Sequence, residues 1–571
     1  MSKDSCVWKY PSTMGLLMDG MRSPFMKSSL NETLGESKGV TSEPTRHQAE
    51  WLRFACLGAL LLAMIFFAFV RVHLRNMPLE RDEGEFAYVG HLMLQGIPPY
   101  KIASNMKLPG TYAAYAALMA VFGETPAGIR LGLLLVNMTA TLLLYLLAKY
   151  LYGSLAGAVA GITYSLLSCR PAVLGFYAHA THFVVLAALA GIVLLLHAID
   201  RERTDLLFSS GVCLGLAFLM KQPGIFFGVF AGLYWLWREW QRPVRRKGIA
   251  GRGVALFGGM ALPFVVTCLM LWRAGVFPNF WFWTWTYARE YGFITTLPDV
   301  RIALHAFLPW VIRPFVIWEI VALGLIAPLW SRYARAHGGF VTSFFLFSCL
   351  AICPGFYFRP HYYILAMPAA ALGAGIAVSA AHQGLRNKRM GKLAVWLPVA
   401  YFAVAFVVSA RAEYRKSLHL DGVSLVHKVQ AEEAFPEAVS VGGYIKEHSS
   451  ERDTIALFGS EPEIFFYSGR HSAASYLYVY PLMERQKFAQ QMQNEMMQQV
   501  REARPRFLVY VDNVHSWGTK AQLEENRGFV DMAWSYAHRG YELVNQTAVA
   551  GNPEHLWGDH AYLYVFRRTE P

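Results

Sequence analysis

Charge is scarce in this chain: 16% of its 571 residues are Asp, Glu, Lys or Arg, against about 25% in an ordinary soluble domain. With 55% hydrophobic and 15% aromatic residues, too little polar surface is left to coat a water-soluble globule of this length. The mean hydropathy of +0.29 is nevertheless low for a chain lying wholly in lipid, so the apolar residues must be unevenly placed. The seven cysteines stand at 6, 56, 169, 213, 268, 349 and 353; with no CxxC pair among them, neither a disulfide framework nor a zinc site built on cysteine is supported. Internal repeats and low-complexity tracts are absent as well.

What the chain has is long apolar runs. The first, Phe54–Val70, approaches the ~20 residues needed to cross about 30 Å of hydrocarbon. Others lie near 128–148, 154–168, 181–199, 206–220, 223–237, 253–274, 311–330, 340–356, 361–381 and 393–410. Eleven spans are expected, within two, with 111–122 as a dipping helix or a further span. The excess of 52 Lys and Arg over 39 Asp and Glu would suggest nucleic acid in a soluble protein. Here it sits in short loops between apolar runs: six basic residues across Arg238–Arg252, four across His382–Lys392, and two each across Ser331–Gly339 and Asp200–Asp205. Basic loops mark the cytoplasmic side, so an odd number of spans leaves the N-terminus inside and the C-terminus outside.

Three regions are therefore predicted. Residues 1–53 are polar and aperiodic, a cytoplasmic and largely disordered tail, and no apolar core of a secretory signal lies among them. Residues 54–411 form a polytopic helical membrane domain whose first outer loop is 71–127. Residues 412–571 alternate apparent strands, at Thr454–Phe458, Arg506–Val511 and Ala561–Arg567, with helical stretches such as Leu482–Ala503, and predict a small α/β domain outside the membrane.

The chemistry concentrates in the first outer loop. It reads Leu79-Glu80-Arg81-Asp82-Glu83-Gly84-Glu85-Phe86-Ala87-Tyr88, then Asn105-Met106-Lys107-Leu108-Pro109-Gly110-Thr111-Tyr112. Four carboxylates this close are expected to raise one another's pKa by repulsion, and one of them can serve as a general base toward a hydroxyl. A plain hydrated loop would show the same charge content.

An Asp-Glu pair in the first outer loop, an aromatic shortly after, Lys-x-Pro-Gly followed by a tyrosine, and Ala-Gly-Ile-Arg130-Leu opening the next span together resemble the family 39 glycosyltransferases. These are multi-spanning, GT-C-like enzymes related to dolichyl-phosphate-mannose protein mannosyltransferases and to the bacterial lipid A aminoarabinose transferase. The likeness covers 54–410 in layout and is sharpest over 79–152; the stretches Leu457–Arg470 and Tyr478–Met483 resemble the outer domain of bacterial members. The resemblance implies sugar transfer from a polyprenyl-phosphate donor to a glycolipid, polysaccharide or protein outside the cytoplasm of a cell with an inner membrane. It implies Asp82 as base, Glu83 holding the loop or the acceptor, and Lys107 and Arg130 on the donor phosphate. Leu108 departs from the family's Lys-Pro-Pro. Glu85 stands where some relatives carry an arginine, a cation that Arg81 or Arg359 would replace.

Other outer loops add candidates. Arg359, His361 and Tyr362 suit phosphate and sugar hydroxyls, although an aromatic belt with a snorkelling arginine has the same composition. His179 and His182, three apart, have the spacing of a metal pair on one helical face but lack an acid nearby in sequence, so no metal ligand is assigned and a divalent ion is left open. Lys221 offers a second phosphate contact, and Glu85 and Tyr88 possible substrate contacts. Nine aromatics within Phe277–Phe293 predict an interfacial helix. Glu319, inside a span, calls for a proton, a cation or a water-filled cavity. No DxD-type nucleotide-sugar motif occurs in the soluble part, and nucleic acid is not a partner. The competing reading is a transporter or flippase of lipid-linked sugars, which predicts inverted halves and broken spans.

Overall fold

The structure is a computed structural model that describes residues 46–241, 248–292, 294–313, 315–550, 556 and 560–569. Most of the 1–53 tail thus lies outside the described residues, and helix α1 already runs Arg46–His73. Two short helices follow, α2 (Arg81–Leu94) and α3 (Pro109–Phe122), and then a series of apolar helices. These are α4 (Pro126–Leu167), α5 (Ala180–Arg201), α6 (Thr204–Met220), α7 (Ile225–Trp240), α8 (Ile249–Arg273), α9 (Leu297–Val311), α10 (Phe315–Leu325), α11 (Gly338–Leu350), α12 (Met367–Asn387) and α13 (Lys392–Ser417).

The expected apolar runs coincide largely with these helices, but they do not separate cleanly into eleven spans. Among the described residues six helices are long and apolar enough to cross a membrane, seven if the bent pair α9 and α10 counts as one. The difference has three sources. The runs 128–148 and 154–168 share α4, which breaks at Tyr152 and Gly153 (φ 80°). Helices α6, α7 and α11, with 17, 16 and 13 residues, are short for a bilayer. The run 311–330 is divided between the end of α9, α10 and a turn at Ala327–Trp330.

The chain is a multi-pass membrane protein, and its burial pattern shows how the bundle sits in lipid. Helix α12 is 89% buried inside the protein over its apolar window, whereas α8 is only 17% buried and exposes Val254, Leu269, Met270 and Trp272, a surface that water would not tolerate but hydrocarbon does. Small residues let the central helices approach closely, as transmembrane packing favours: a Cβ on Gly324 of α10 would lie 1.7 Å from the Gly373 carbonyl of α12. Glu319, on α10, accepts a hydrogen bond from the Tyr401 phenol of α13 at 3.3 Å rather than pairing with a cation.

The C-terminal region is an α/β unit. Strands β1 (Thr454–Phe458), β2 (His471–Ser472), β3 (Phe507–Asp512), β4 (Tyr541–Ala548) and β5 (Tyr562–Arg568) form one sheet in the order β2-β1-β3-β5-β4. The first three are parallel, and β5 is antiparallel to both β3 and β4. Strand β3 is buried throughout, so its continuous apolar run was easy to see. The short β2 and the half-exposed β4 carry no such signal. The expected helix Leu482–Ala503 is interrupted: a turn at Tyr480–Met483 precedes the helix proper, Ala489–Ala503.

This unit is docked on the first loop. Ser104 donates its N–H to the Ser475 carbonyl at 2.8 Å, and α2 packs on the short helix Glu463–Ser468 so tightly that a Cβ on Gly84 would fall 2.5 Å from Glu463 Cβ. Gly84→Val is therefore expected to cost about 1–3 kcal/mol by overpacking, seen as a lower melting temperature of the detergent-solubilised chain; an unchanged melting curve would show that the two surfaces are not in close contact.

Candidate active site

Helix α2 starts with a capping box: the Glu80 carboxylate accepts the Glu83 N–H at 3.1 Å, and the Glu83 carboxylate accepts the Glu80 N–H at 3.3 Å. Two carboxylates that charge counting alone would send to water are thereby turned back onto the backbone. Glu83, fully buried, also pairs with Arg130 at the start of α4 and accepts the Ala178 N–H. Arg130 is 4% exposed and reaches the Pro78 carbonyl at 3.3 Å. The structure thus places Arg130 in the scaffold, where it ties α2 to α4 through Glu83. Glu83 joins the start of α2 to α4 and to the chain before α5.

The next turn of α2 faces the opening. Lys107 donates to Asp82 Oδ1 at 2.7 Å and to Glu85 Oε2 at 2.5 Å, with its ammonium 4.6 Å above the Phe86 ring. Glu85 is fully buried and accepts from the phenols of Tyr112 at 2.5 Å and Tyr478 at 2.7 Å. It is sealed behind Lys107 rather than offered to a ligand. Tyr88 is likewise structural: it is 1% exposed, accepts the Ser472 N–H at 2.8 Å and packs on Phe465. Arg81 turns toward the C-terminal unit, pairing with Glu433 at 2.7 Å and Glu461 at 3.4 Å, so it does not supply the missing cation.

The expected mutual rise of the carboxyl pKa values holds for some members and fails for Asp82. Burial, then the charges of Asp82 and Glu83, lift Glu80 well above the usual range, and burial lifts Glu83. Burial acts on Asp82 in the same direction, yet the Lys107 ammonium, helped by His361 and His179, draws its carboxyl well below the ordinary value. A cation 25 residues away in sequence thus outweighs the effect of burial, because it stands at hydrogen-bond distance.

Beyond Asp82 lies a second ring of groups. His179, the residue before α5, stacks on His361 with centroids 4.0 Å apart and planes 13° apart. Lys221, at the end of α6, lies 3.5 Å from His361 Nε2 and 4.0 Å over the Tyr362 ring; burial pushes its ammonium down to about 7. His182 lies a turn inside α5, fully buried, and is not part of this ring. Arg359 is exposed and stands over Tyr357 at 5.6 Å, on a loop where Gly355, Phe356 and Phe358 all have positive φ, a conformation that costs bulky residues energy and often marks a working loop. The ring thus joins α2, the Lys107 loop, α5, α6 and the turn before α12 at one end of the bundle.

Several contributors were not foreseen. Tyr478 and Tyr480 come from the C-terminal unit, which had been given no catalytic part; Tyr480 sits 5.2 Å beneath the Arg81 guanidinium. The aromatic run is no simple surface helix: it contains a π-helix, Phe282–Tyr287, Phe280 packs on Tyr100, Trp283 on Tyr476, and the Tyr287 phenol donates to Glu484 at 2.5 Å. The sequence had marked Tyr478 and Tyr480 only as part of Tyr478–Met483, a stretch resembling the outer domain of bacterial members.

Residues 107–270, from Lys107 through α8, match the family model described as dolichyl-phosphate-mannose-protein mannosyltransferase. Two crystal structures of ArnT from Cupriavidus metallidurans, one bound to undecaprenyl phosphate and one in the apo state, superpose with TM-scores of 0.52 and 0.54. Each is 17% identical and covers 90% of this chain and 98% of its own. The fold is the GT-C fold. Its helical part and its C-terminal unit are matched together, since nearly the whole of each ArnT chain is covered. A search of curated protein sequences finds no match.

Two predictions follow from the GT-C scaffold as it is built here. Arg130→Met strands the Glu83 carboxylate in a sealed site and should cost about 3–5 kcal/mol; the double variant with Glu83→Gln should recover part of that loss, both read by thermal unfolding in detergent. Burial lifts Glu484 to about 7 from 4.5, so the folded state holds its proton more tightly than the unfolded chain. Its contribution is complete below pH 4.5 and lost as pH rises through about 7. The melting temperature of Glu484→Gln should therefore fall less than that of the parent across this window.

Proposed function

We propose that the protein is a membrane glycosyltransferase that moves a sugar from a polyprenyl-phosphate-linked donor to a hydroxyl acceptor outside the cytoplasm. One observation carries the reading: a carboxylate and an ammonium, Asp82 and Lys107, meet at 2.7 Å at the mouth of an apolar helical bundle, with further cations at Lys221 and Arg359 on the same rim. A polyprenyl tail must stay in hydrocarbon while its phosphate and sugar reach water, and a site at a bundle end beside lipid-facing helices serves both. ArnT, of the same fold, has been crystallised with undecaprenyl phosphate, and the matched family is described by a dolichyl-phosphate-linked sugar.

The proposed chemistry uses the pair in turn. In the resting site Lys107 holds Asp82 ionised but weakly basic. When the donor phosphate arrives, Lys107 turns to it, and Asp82 loses the partner that depresses its pKa. Asp82 then takes the proton from the acceptor hydroxyl as that oxygen bonds to the anomeric carbon. The bond from that carbon to the phosphate oxygen breaks, the electron pair leaves with the phosphate, and Lys107 with Arg359 neutralises the added charge, an arrangement worth more in a dry site than in water.

Sidedness follows from the same helices. Helix α5 follows His179 in the site and ends at Arg201; α12 follows His361 and ends at Asn387, with Arg386 in its last turn. The basic loops thus lie at the far ends, which under the positive-inside rule supports a site and a C-terminal unit on the outer face of an inner membrane. Whether the acceptor is glycolipid, polysaccharide or protein is for the C-terminal unit to select.

The test is release of polyprenyl phosphate from a polyprenyl-phosphate sugar by membranes carrying the full chain. Asp82→Asn should lower the rate by about 10²–10⁴ while the purified variant still binds undecaprenyl phosphate; Lys107→Met should weaken that binding. Parent-like release by Asp82→Asn would remove Asp82 from the reaction, and no release by the parent would remove the reading altogether.

A further inference from the structure

Asp82, His179 and His361 come from three separate elements, yet one ligand atom of each lies within 4.8 Å of the others. Asp82 gives Oδ1 to Lys107 at 2.7 Å and turns Oδ2 toward His179 Nδ1, 3.9 Å away. Both ring nitrogens of His179 are sealed from solvent and make no hydrogen bond, although the residue is 1% exposed. The Glu80 carboxylate stands 3.5 Å from the same Nδ1; a buried imidazole with neither nitrogen hydrogen-bonded is uncommon, since buried polar atoms nearly always find partners. Among the described residues this is the only group of three or more such side chains drawn together.

We propose that Asp82, His179 and His361 form a site for one divalent transition-metal ion, of the zinc or manganese kind. Two neutral imidazoles and one carboxylate are the donor set that such ions prefer over calcium or magnesium, whose shells are all oxygen. Donors on a tetrahedral zinc ion stand about 3.4 Å apart, from bond lengths near 2.0–2.1 Å, so a set spread over up to 4.8 Å has to contract by up to about 1.4 Å. The imidazoles stack almost parallel, which keeps their in-plane lone pairs from converging; each ring must turn out of the stack to bind. His179 gives up no hydrogen bond in turning. His182, three residues on, plays no part, because His179 precedes α5 and the two do not share a helical face.

Such an ion would hold three protein ligands and keep a position open, as sites that act on substrates do. The open side adjoins Lys107 and Lys221, where a phosphate oxygen would complete the shell and offset the repulsion between ion and ammonium groups. The binding site stands on geometry alone; the link to a phosphate rests on the function proposed above.

The full chain in detergent, stripped with a chelator and desalted, should retain one Zn²⁺ per chain by elemental analysis after reloading, and Co²⁺ in its place should give visible ligand-field bands. His179→Ala and His361→Gln should each weaken Zn²⁺ binding at least tenfold, whereas His448→Ala, on the surface of the C-terminal unit, should leave it unchanged. Retention of less than one ion, absence of Co²⁺ bands in the parent, or parent-like affinity in both histidine variants would overturn the proposal. Should a variant fail to fold, the Co²⁺ spectrum of the parent, with or without histidine-type bands, decides alone. Undiminished polyprenyl phosphate release by the metal-free chain, with no ion bound on reloading, would sink the site and leave the transferase reading standing. An ion bound as described in a chain that releases nothing would do the reverse.

Discussion

The buried pair between Glu83 and Arg130 is the joint on which the site hangs. It fixes the first turn of α2 against the start of α4, and the Ala178 N–H brings the chain before α5 to the same carboxylate. Once Glu83 is turned inward, the spacing of an α-helix leaves Asp82 and Glu85, three residues apart and on neighbouring faces, to meet Lys107. A buried ion pair is poor evidence for net stability, but it is a strong device for specifying one arrangement among several. Here it decides which of four adjacent carboxylates is structural and which is left at the mouth.

This division explains how so much charge can sit beside hydrocarbon. Glu80 and Glu83 satisfy backbone groups and each other's cap; Glu85 is closed in by two phenols and an ammonium; Arg81 is taken by Glu433 and Glu461. What remains open is small: one oxygen of Asp82, two stacked imidazoles, and the cations of Lys221 and Arg359. A water-exposed knot would have spread these charges evenly, whereas the fold sorts them into a satisfied interior and a reactive rim.

Much of the architecture could be read from the chain. The apolar runs mark the helices because lipid exposure demands them, and β1 and β3 are conspicuous because buried strands are continuously apolar. Asp82 and Lys107 were also legible, through a motif whose parts lie about twenty residues apart. The choice of partners was not. Local charge counting favours Arg81 as the neighbour of Asp82, yet Arg81 leaves for acids 352 and 380 positions away, and Tyr478 arrives on Glu85 from 393 away. The pairing of Arg130 with Glu83 was hidden for the same reason: an arginine opening a span looks identical whether it greets a ligand or a buried carboxylate. His179 was noticed for its spacing to His182, but its true neighbour, His361, lies nearly two hundred residues along the chain.

The anchoring of Arg81 and Glu85 by groups of the C-terminal unit makes the two halves a single inheritance. A swap of that unit between relatives would leave Arg81 without Glu433 and Glu461, and Glu85 without the Tyr478 phenol, in a place where water cannot make good the loss. Hybrids cut near residue 412 should survive only when these contacts travel together, so diversification of the outer unit is confined to surfaces turned away from α2.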